Sequence, residues 1–392
     1  MKKQLLFIMG TLENGGGERS LINLLQLIDY NKYDVDLALF KERGVFLKQV
    51  PKEVNILSDL KELHFMYDDS LKNAFNFNYL KLSLAHTFGT IISKIVSKSG
   101  FHKGQYRWKH FYKNVIPTIE KKYDVAISYL EGETTFYLAD KVNADKKIAW
   151  VHTDYSKINA DSEIDLEYFR KVDKVVSISK SCLKILKNQF PSISNKFIYL
   201  PNLISSKLVK SMSNQFTPKE FYENNKIKII SIGRLIKLKG FDIALQSAKI
   251  LKEKNIDFEW YVIGDGILKT ELEEHKNQLD LNDDFIFLGI RENPYPYLKN
   301  ADIVVQPSRY EGKSMVLDEA KILCKPIVVT NYDTVNDQIN RDEGIIVDID
   351  PEAIAKGIET MLSNKQKYIH FLSKNEYGNQ IEIKKYYDLF DE

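Results

Sequence analysis

The sequence predicts an α/β chain of two doubly wound domains, and three observations carry that prediction. Short apolar runs alternate with stretches of helical periodicity almost from end to end, the pattern of parallel βα units. The alternation lapses once, over the polar stretch 205–226, and then restarts. At 392 residues the chain is long enough for two domains of ordinary size.

Taken in order, the run 4–9 follows Met1-Lys2-Lys3 and resembles a secretory leader. Glu13 arrives before an apolar core of sufficient length develops, so the run reads as a buried strand. The helix after it repeats Leu21, Leu24, Leu25 and Ile28 at three- and four-residue spacing. Runs 35–40, 125–130, 147–151 and 174–178 continue a first sheet, and a strand near 196–200 closes it before Pro201-Asn202. Runs 227–232, 258–263, 285–288, 303–306, 326–330 and 344–347 read as a second sheet, each followed by a helix. The expected boundaries are 1–204 for the N-terminal domain, 205–226 for a linker, 227–375 for the C-terminal domain, and 376–392 for a helix packing back on the first domain.

Composition removes several function classes. With 44% hydrophobic and 28% charged residues the chain folds around real cores, which excludes disorder as its main theme. A net charge of +2 argues against a bulk polyanion binder. Two cysteines, Cys182 and Cys324, are too few for a disulfide framework and suit a reducing cytosol. No run reaches the ~18–20 apolar residues of a spanning helix; the best candidate, 81–96, carries Lys81, His86 and Lys94.

Chemistry-bearing residues gather in the loops after strands. Gly15-Gly16-Gly17 precedes a helix opening with Glu18-Arg19, where flexible backbone beside exposed N–H groups suits an anion, although a flexible turn would look the same. Gly233-Arg234-Leu235 with Lys237, Lys239 and Gly240 places cations between a strand and a helix, fit to neutralise a diphosphate or to stand as a solvated loop. Gly264-Asp265-Gly266 reads as a tight turn after another strand. The segment 307–320 is the most informative. Glu311 and Glu319 lie eight residues apart, so both carboxylates can project toward one ligand, with the amides of Ser314, Met315 and Val316 between them as an anion-accepting helix start. Carboxylates suit sugar hydroxyls while amides and cations suit phosphates, a combination that matches a sugar nucleotide. Asp34-Val35-Asp36 and Asp348-Ile349-Asp350 read as structural.

These segments, with Trp150-Val151-His152, Pro201-Asn202, Gly289 and Asn293-Pro294, closely resemble family 4 of the retaining glycosyltransferases. The resemblance implies the GT-B architecture, two Rossmann-like domains facing a cleft, with the acceptor on the N-terminal side and the donor on the C-terminal side. It implies catalytic roles for Glu311, Arg234, Lys239 and His152. Arg234 and Lys239 would bind the diphosphate, Glu311 the transferred sugar and Glu319 the ribose. Gly16, Gly17, Gly233, Gly264, Gly289, Ser314, Met315 and Val316 would complete the donor site. No metal and no cofactor are expected. Lys313 and Asp318 stand where many members have apolar residues, and Gly17 where alanine is common.

One stretch, 70–118, contains no acid and eight cations, leaving 48 basic against 54 acidic residues elsewhere. It also holds Phe75, Phe77, Tyr79, Phe88, Phe101, Tyr106, Trp108, Phe111 and Tyr112. Such a segment can lie on an anionic leaflet, or be a solvated lysine face over core aromatics. No nucleic-acid module surrounds it.

The expectation is a cytoplasmic, peripherally membrane-bound, metal-independent hexosyltransferase. It would move a sugar from a nucleotide-diphosphate donor, UDP-linked, to a glycan or lipid-linked acceptor in capsule or cell-envelope polysaccharide synthesis. The competing readings are a catalytically silent partner of the same fold and a sugar-nucleotide epimerase or phosphorylase.

Overall fold

The computed structural model describes residues 2–13, 15–67, 79–97, 99–221 and 225–392. Lys72, Phe75, Phe77 and Lys98 of the acid-free stretch, and Asn14 of the first glycine loop, lie outside the described residues. The chain divides into two units. One holds Met1–Glu13, Gly17–Asn202 and Ile383–Glu392, and the other holds Asn14–Gly16 and Leu203–Glu382.

Among the described residues the first unit contains a parallel sheet of seven strands. These are β1 (Lys3–Met9), β2 (Tyr33–Leu39), β3 (Val54–Ile56), β4 (Ile119–Ser128), β5 (Val142–Val151), β6 (Lys174–Ser177) and β7 (Phe197–Tyr199). Their spatial order, β3-β2-β1-β4-β5-β6-β7, reverses direction between β1 and β4. Leu5, Leu6, Phe7, Ile8 and Met9 of β1 have no exposed surface, as a strand covered by helices on both faces requires. The run that resembles a leader is therefore an interior strand of a sheet.

The second unit holds β8 (Ile227–Ile232), β9 (Phe258–Ile263), β10 (Phe285–Gly289), β11 (Ile303–Gln306), β12 (Ile327–Thr330) and β13 (Ile345–Val347). Their order, β10-β9-β8-β11-β12-β13, reverses between β8 and β11, and every recorded pairing is parallel. Both units are thus doubly wound, and the loops leaving β1 and β4, or β8 and β11, border the point where such sheets hold ligands.

Beyond strand ends, three differences from the sequence reading stand out. First, the stretch 205–226 is counted with the second unit rather than left as a free linker. It carries a helix, Ser206–Met212, capped by the Ser205 hydroxyl, and its Val209 and Phe221 are buried in the unit's core. Second, the helix expected over 376–392 starts only at Ile383, after a 24-residue helix Pro351–Lys374 and a 3-10 turn Gln380–Glu382. That last helix, Ile383–Asp391, belongs to the first unit. Its Tyr386 ring stacks on Trp150 at 5.9 Å, and its hydroxyl donates to the Pro201 carbonyl. Third, the three-residue strand β3 at the sheet edge has too little apolar sequence to announce itself.

Both Asp-X-Asp sequences are consumed structurally. Asp36 is 5% exposed and accepts from Tyr123, Asn55 and Lys121. Asp350 caps the long helix by accepting from the Ala353 amide.

Candidate functional site

In the second unit the loops after β8, β9 and β11 are locked together by backbone approaches that only glycine permits. Gly264, at φ +149, passes so near β8 that a Cβ would stand 1.9 Å from the Gly233 carbonyl oxygen. Gly240, at φ +68, would place a Cβ 1.9 Å from the Pro307 carbonyl oxygen. The Gly264 amide donates to the Gly289 carbonyl, which ties in the end of β10. The predicted Gly233, Gly264 and Gly289 thus share one edge of one sheet.

Onto this frame the structure brings Lys239 and Glu311. Lys239 Nζ lies 2.5 Å from Glu311 Oε1, and that same oxygen accepts from Gln306 Nε2 and Ser308 Oγ, each at 2.8 Å. Three donors on one oxygen fix the carboxylate, while Oε2 accepts from none of the described residues. The Thr334 hydroxyl donates to the Glu311 carbonyl, holding its backbone as well. Arg234 is exposed, and its side chain enters no hydrogen bond or ion pair among the described residues.

Helix Met315–Ile322 begins immediately after Ser314. The Ser314 amide, expected to receive an anion, instead donates to Gln338 Oε1, whose amide in turn donates to the Ser314 carbonyl. Met315 and Val316 keep the first amides of the helix, which have no intrahelical partner. Glu319 is fully buried on the inner side of this helix, where one oxygen accepts from the Tyr295 hydroxyl at 3.1 Å. Lys313 and Asp318, the two departures from the family pattern, form an ion pair at 3.3 Å. Asp318 also meets Lys321 at 3.7 Å, so the carboxylate matches a largely buried Lys313 that would otherwise stand without an ion-pair partner among the described residues.

Several residues of this site escaped sequence reasoning. Arg309 grips Asp242 through two bonds of 2.6 and 2.7 Å and also reaches the Lys237 carbonyl, bracing the β8 loop against the β11 loop. Burial opposes the Asp242 charge, yet the hydrogen bonds and charges of Arg309 and Lys237 outweigh it and hold the carboxyl down at about 2. Tyr332 follows β12; its buried hydroxyl meets no partner among the described residues, and burial with the charges of Glu311 and Asp318 raises it well above the phenol range. Gln306 carried one signal, a polar residue ending an otherwise apolar strand.

In the first unit the loops after β1, β4 and β5 form a separate group. Gly16, which is counted with the second unit, is exposed and is the first residue of helix Gly16–Leu25, whose remainder belongs to the first. A Cβ at Gly17 would lie 3.3 Å from Leu130 and 3.9 Å from the His152 ring. Glu131 bridges the end of β5, accepting from the His152 amide and the Thr153 hydroxyl at 2.9 Å each. His152 Nε2 is buried without a partner among the described residues. Burial drives the imidazole down to about 4, against a weaker raising contribution from a hydrogen bond to the Tyr129 backbone.

A titration consequence follows. The folded pKa lies below the ordinary 6.5, so the neutral ring contributes stability above that value, lost as the pH falls toward 4. NMR of the imidazole should show His152 neutral down to about pH 5. Protonation near pH 6.5 would mean an open, solvated ring.

The described residues of the acid-free stretch include the helices Leu80–Val96 and Gly100–His110. Part of it is core rather than surface. Trp108 and Tyr112 are fully buried, Trp108 Nε1 donates to Asp140, and Arg107 pairs with Glu133 at 2.9 Å. Helix Leu80–Val96 is inverted relative to an ordinary amphipathic helix. Its small residues Ser83, Ala85, Gly89 and Ser93 face inward, while Leu84, Phe88, Ile91 and Ile95 face outward, Ile95 at 79% exposure. A Cβ on Gly89 would come within 3.3 Å of Arg107 and Phe111, so the small face is what lets the two helices pack. Among the described residues no helix is long and apolar enough to cross a membrane.

Residues 213–378 match the family model of the glycosyl transferases group 1. An uncharacterized glycosyltransferase of Methanocaldococcus jannaschii is 30% identical over 204 residues, 49% of this chain and 50% of that protein, so the match spans half that relative's length. A Campylobacter jejuni protein named as the alpha-1,4-N-acetyl-D-galactosaminyltransferase of a PP-undecaprenol glycan is 24% identical across 92% of this chain and 89% of its own. Staphylococcus aureus TarM, solved as a mutant in complex with Fondaparinux, alpha-GlcNAc-glycerol and UDP, superposes with a TM-score of 0.69 at 15% identity, covering 100% of each chain. The fold of the two units is that of the GT-B glycosyltransferases.

Proposed function

We propose that this chain, whose residues 213–378 match the family model of the glycosyl transferases group 1, transfers a hexosyl unit from a UDP-sugar, with retention at the anomeric carbon, to a lipid-linked glycan acceptor in cell-surface polysaccharide synthesis. The observation that carries the reading is the triply held Glu311 carboxylate, with one oxygen fixed by Lys239, Gln306 and Ser308 and the other available to a sugar hydroxyl.

The roles follow from the chemistry of the groups. Arg234 presents a planar fork to two phosphate oxygens. The Lys239 ammonium has three donors, so it can hold Glu311 and a phosphate oxygen together. With the Met315 and Val316 amides, these groups neutralise the charge that develops on the departing nucleotide diphosphate, and no metal is needed for that task. Glu319 addresses the ribose, and His152, neutral at working pH, donates or accepts a hydrogen bond at the sugar without adding charge. A silent partner of the same fold would have no need of the Glu311 anchoring. The test is release of UDP from UDP-sugars by purified protein with and without membrane-extracted acceptor, with the product's anomeric configuration read by NMR. Acceptor-independent behaviour, or an inverted product, would refute the reading.

The same proposal places the protein on the inner face of the cell membrane through helix Leu80–Val96. Its outward Leu84, Phe88, Ile91 and Ile95 are flanked by exposed Lys81 and Lys94, in a stretch with no acid. Seating such side chains in the lipid interface stabilises by up to about 1.5–3 kcal/mol each; each nearby lysine adds about 1 kcal/mol on an anionic leaflet. A Leu84→Glu, Ile91→Glu variant should stop floating with phosphatidylglycerol vesicles while melting at the wild-type temperature, because both positions are surface-exposed. Undiminished flotation would rule out this helix as the contact.

A further inference from the structure

Beyond the C-terminal end of β2 the first unit has a hollow of about 650 Å³ that the transfer chemistry above does not use. We propose that this hollow binds the diphosphate of a polyprenyl-diphosphate acceptor, with the lipid leaving along helix Leu80–Val96. The inference rests on the lipid-linked acceptor reading and gives it a location.

The position is that of a ligand site, since β2 ends at Leu39 and parallel sheets hold ligands outside the carboxyl ends of their strands. The hollow also adjoins the segment that leaves β1, because the Lys41 amide donates to the Gly10 carbonyl and the Leu12 amide to the Arg43 carbonyl. Among the described residues its lining holds the cations Lys41, Arg43 and Lys61 and the carboxylate of Glu42, with Ser58 as a neutral donor. Arg43 also pairs with Glu13 at 2.9 Å, which fixes its guanidinium in place. Lys61 is exposed, and its side chain enters no hydrogen bond or ion pair among the described residues.

The opposite wall is aromatic. Phe40, Phe65 and Tyr79 line it, and the Phe65 and Tyr79 rings lie 5.3 Å apart. Such a surface suits the apolar first isoprene units next to a diphosphate. Tyr79 joins the two features, since it lines the hollow and is also the residue from which helix Leu80–Val96 starts. From there Leu80, Leu84, Phe88, Ile91 and Ile95 follow at spacings of four, four, three and four residues, one continuous outward stripe. An anionic head group followed by a long hydrocarbon is the one ligand shape that fits cations, aromatic wall and stripe in that order.

The test is calorimetric titration of the full chain with geranyl diphosphate, a soluble probe carrying the same head group, with and without excess UDP. The expected result is binding that excess UDP leaves unchanged. A Lys41→Glu, Lys61→Glu variant should bind roughly tenfold more weakly or worse. The single Lys61→Glu change, at an exposed side chain, should show a smaller loss at an unaltered melting temperature. Inorganic pyrophosphate should bind more weakly than the isoprenyl probe, because it lacks the contact with the aromatic wall. Absence of binding, displacement of the probe by UDP, or equal affinity in both variants would overturn the proposal. UDP titrated alone into the same sample reads the donor site separately, so a failure there counts against the transferase reading and not against the hollow.

Discussion

Replacing Lys239 by alanine should lower the rate of sugar transfer about 10- to 150-fold, and replacing Glu311 should do the same. The two side chains are not independent. Lys239 supplies one of three donors to Glu311 Oε1, so its removal leaves a carboxylate that is 9% exposed without its cation, held by Gln306 and Ser308 alone. In the Glu311→Ala protein, Lys239 loses the group that aims it. The double variant should therefore lose less than the product of the two single losses, with a coupling of about 0.5–3 kcal/mol in a double-mutant cycle. Steady-state assay of UDP release on the four proteins checks this. Strict additivity would mean that the pair seen here is not what the reaction uses.

The second large effect concerns stability. Gly264→Ala and Gly240→Ala should each destabilise the fold by on the order of 3–5 kcal/mol, because the added methyl group would meet a carbonyl oxygen at 1.9 Å in a tightly packed loop. Gly289 provides the internal control. Its φ is +71, but a Cβ there would find nothing within 4 Å, so alanine should cost only the left-handed backbone penalty of about 1–2 kcal/mol. Urea unfolding of the three variants should rank Gly289→Ala mildest by a clear margin. Equal costs at all three positions would show that the close approaches of the β8, β9 and β11 loops do not hold the unit together.

Much of the architecture could be read from the sequence because parallel strands buried on both faces are short apolar runs. In the second unit the reading of β8, β9 and β11 matches the observed strands residue for residue. The misses have physical causes. β4 begins at Ile119 rather than 125, since Glu120, Lys121 and Lys122 extend it where the strand runs out past the core into solvent. β3 pairs along one side only and needs only three residues.

For the candidate site, sequence spacing singled out Glu311 and Ser314 but not the groups that hold them. Gln306, Ser308, Thr334 and Gln338 anchor Glu311 and Ser314 from up to 24 residues away in the chain. The Asp242–Arg309 brace spans 67 residues. Such partners are set by which loops the sheet order makes adjacent, and no local periodicity encodes that. Lys313 and Asp318 illustrate the same limit, because two apparent departures become one ion pair once the helix turn brings them together.

The most direct test of the account is a crystal structure of the protein with UDP bound. The diphosphate should lie within hydrogen-bonding distance, about 3 Å, of the Arg234 guanidinium and the Lys239 ammonium, with Glu311 still anchored through Oε1. UDP seated elsewhere, with those cations turned away from it, would contradict the assignment of this loop cluster as the donor site.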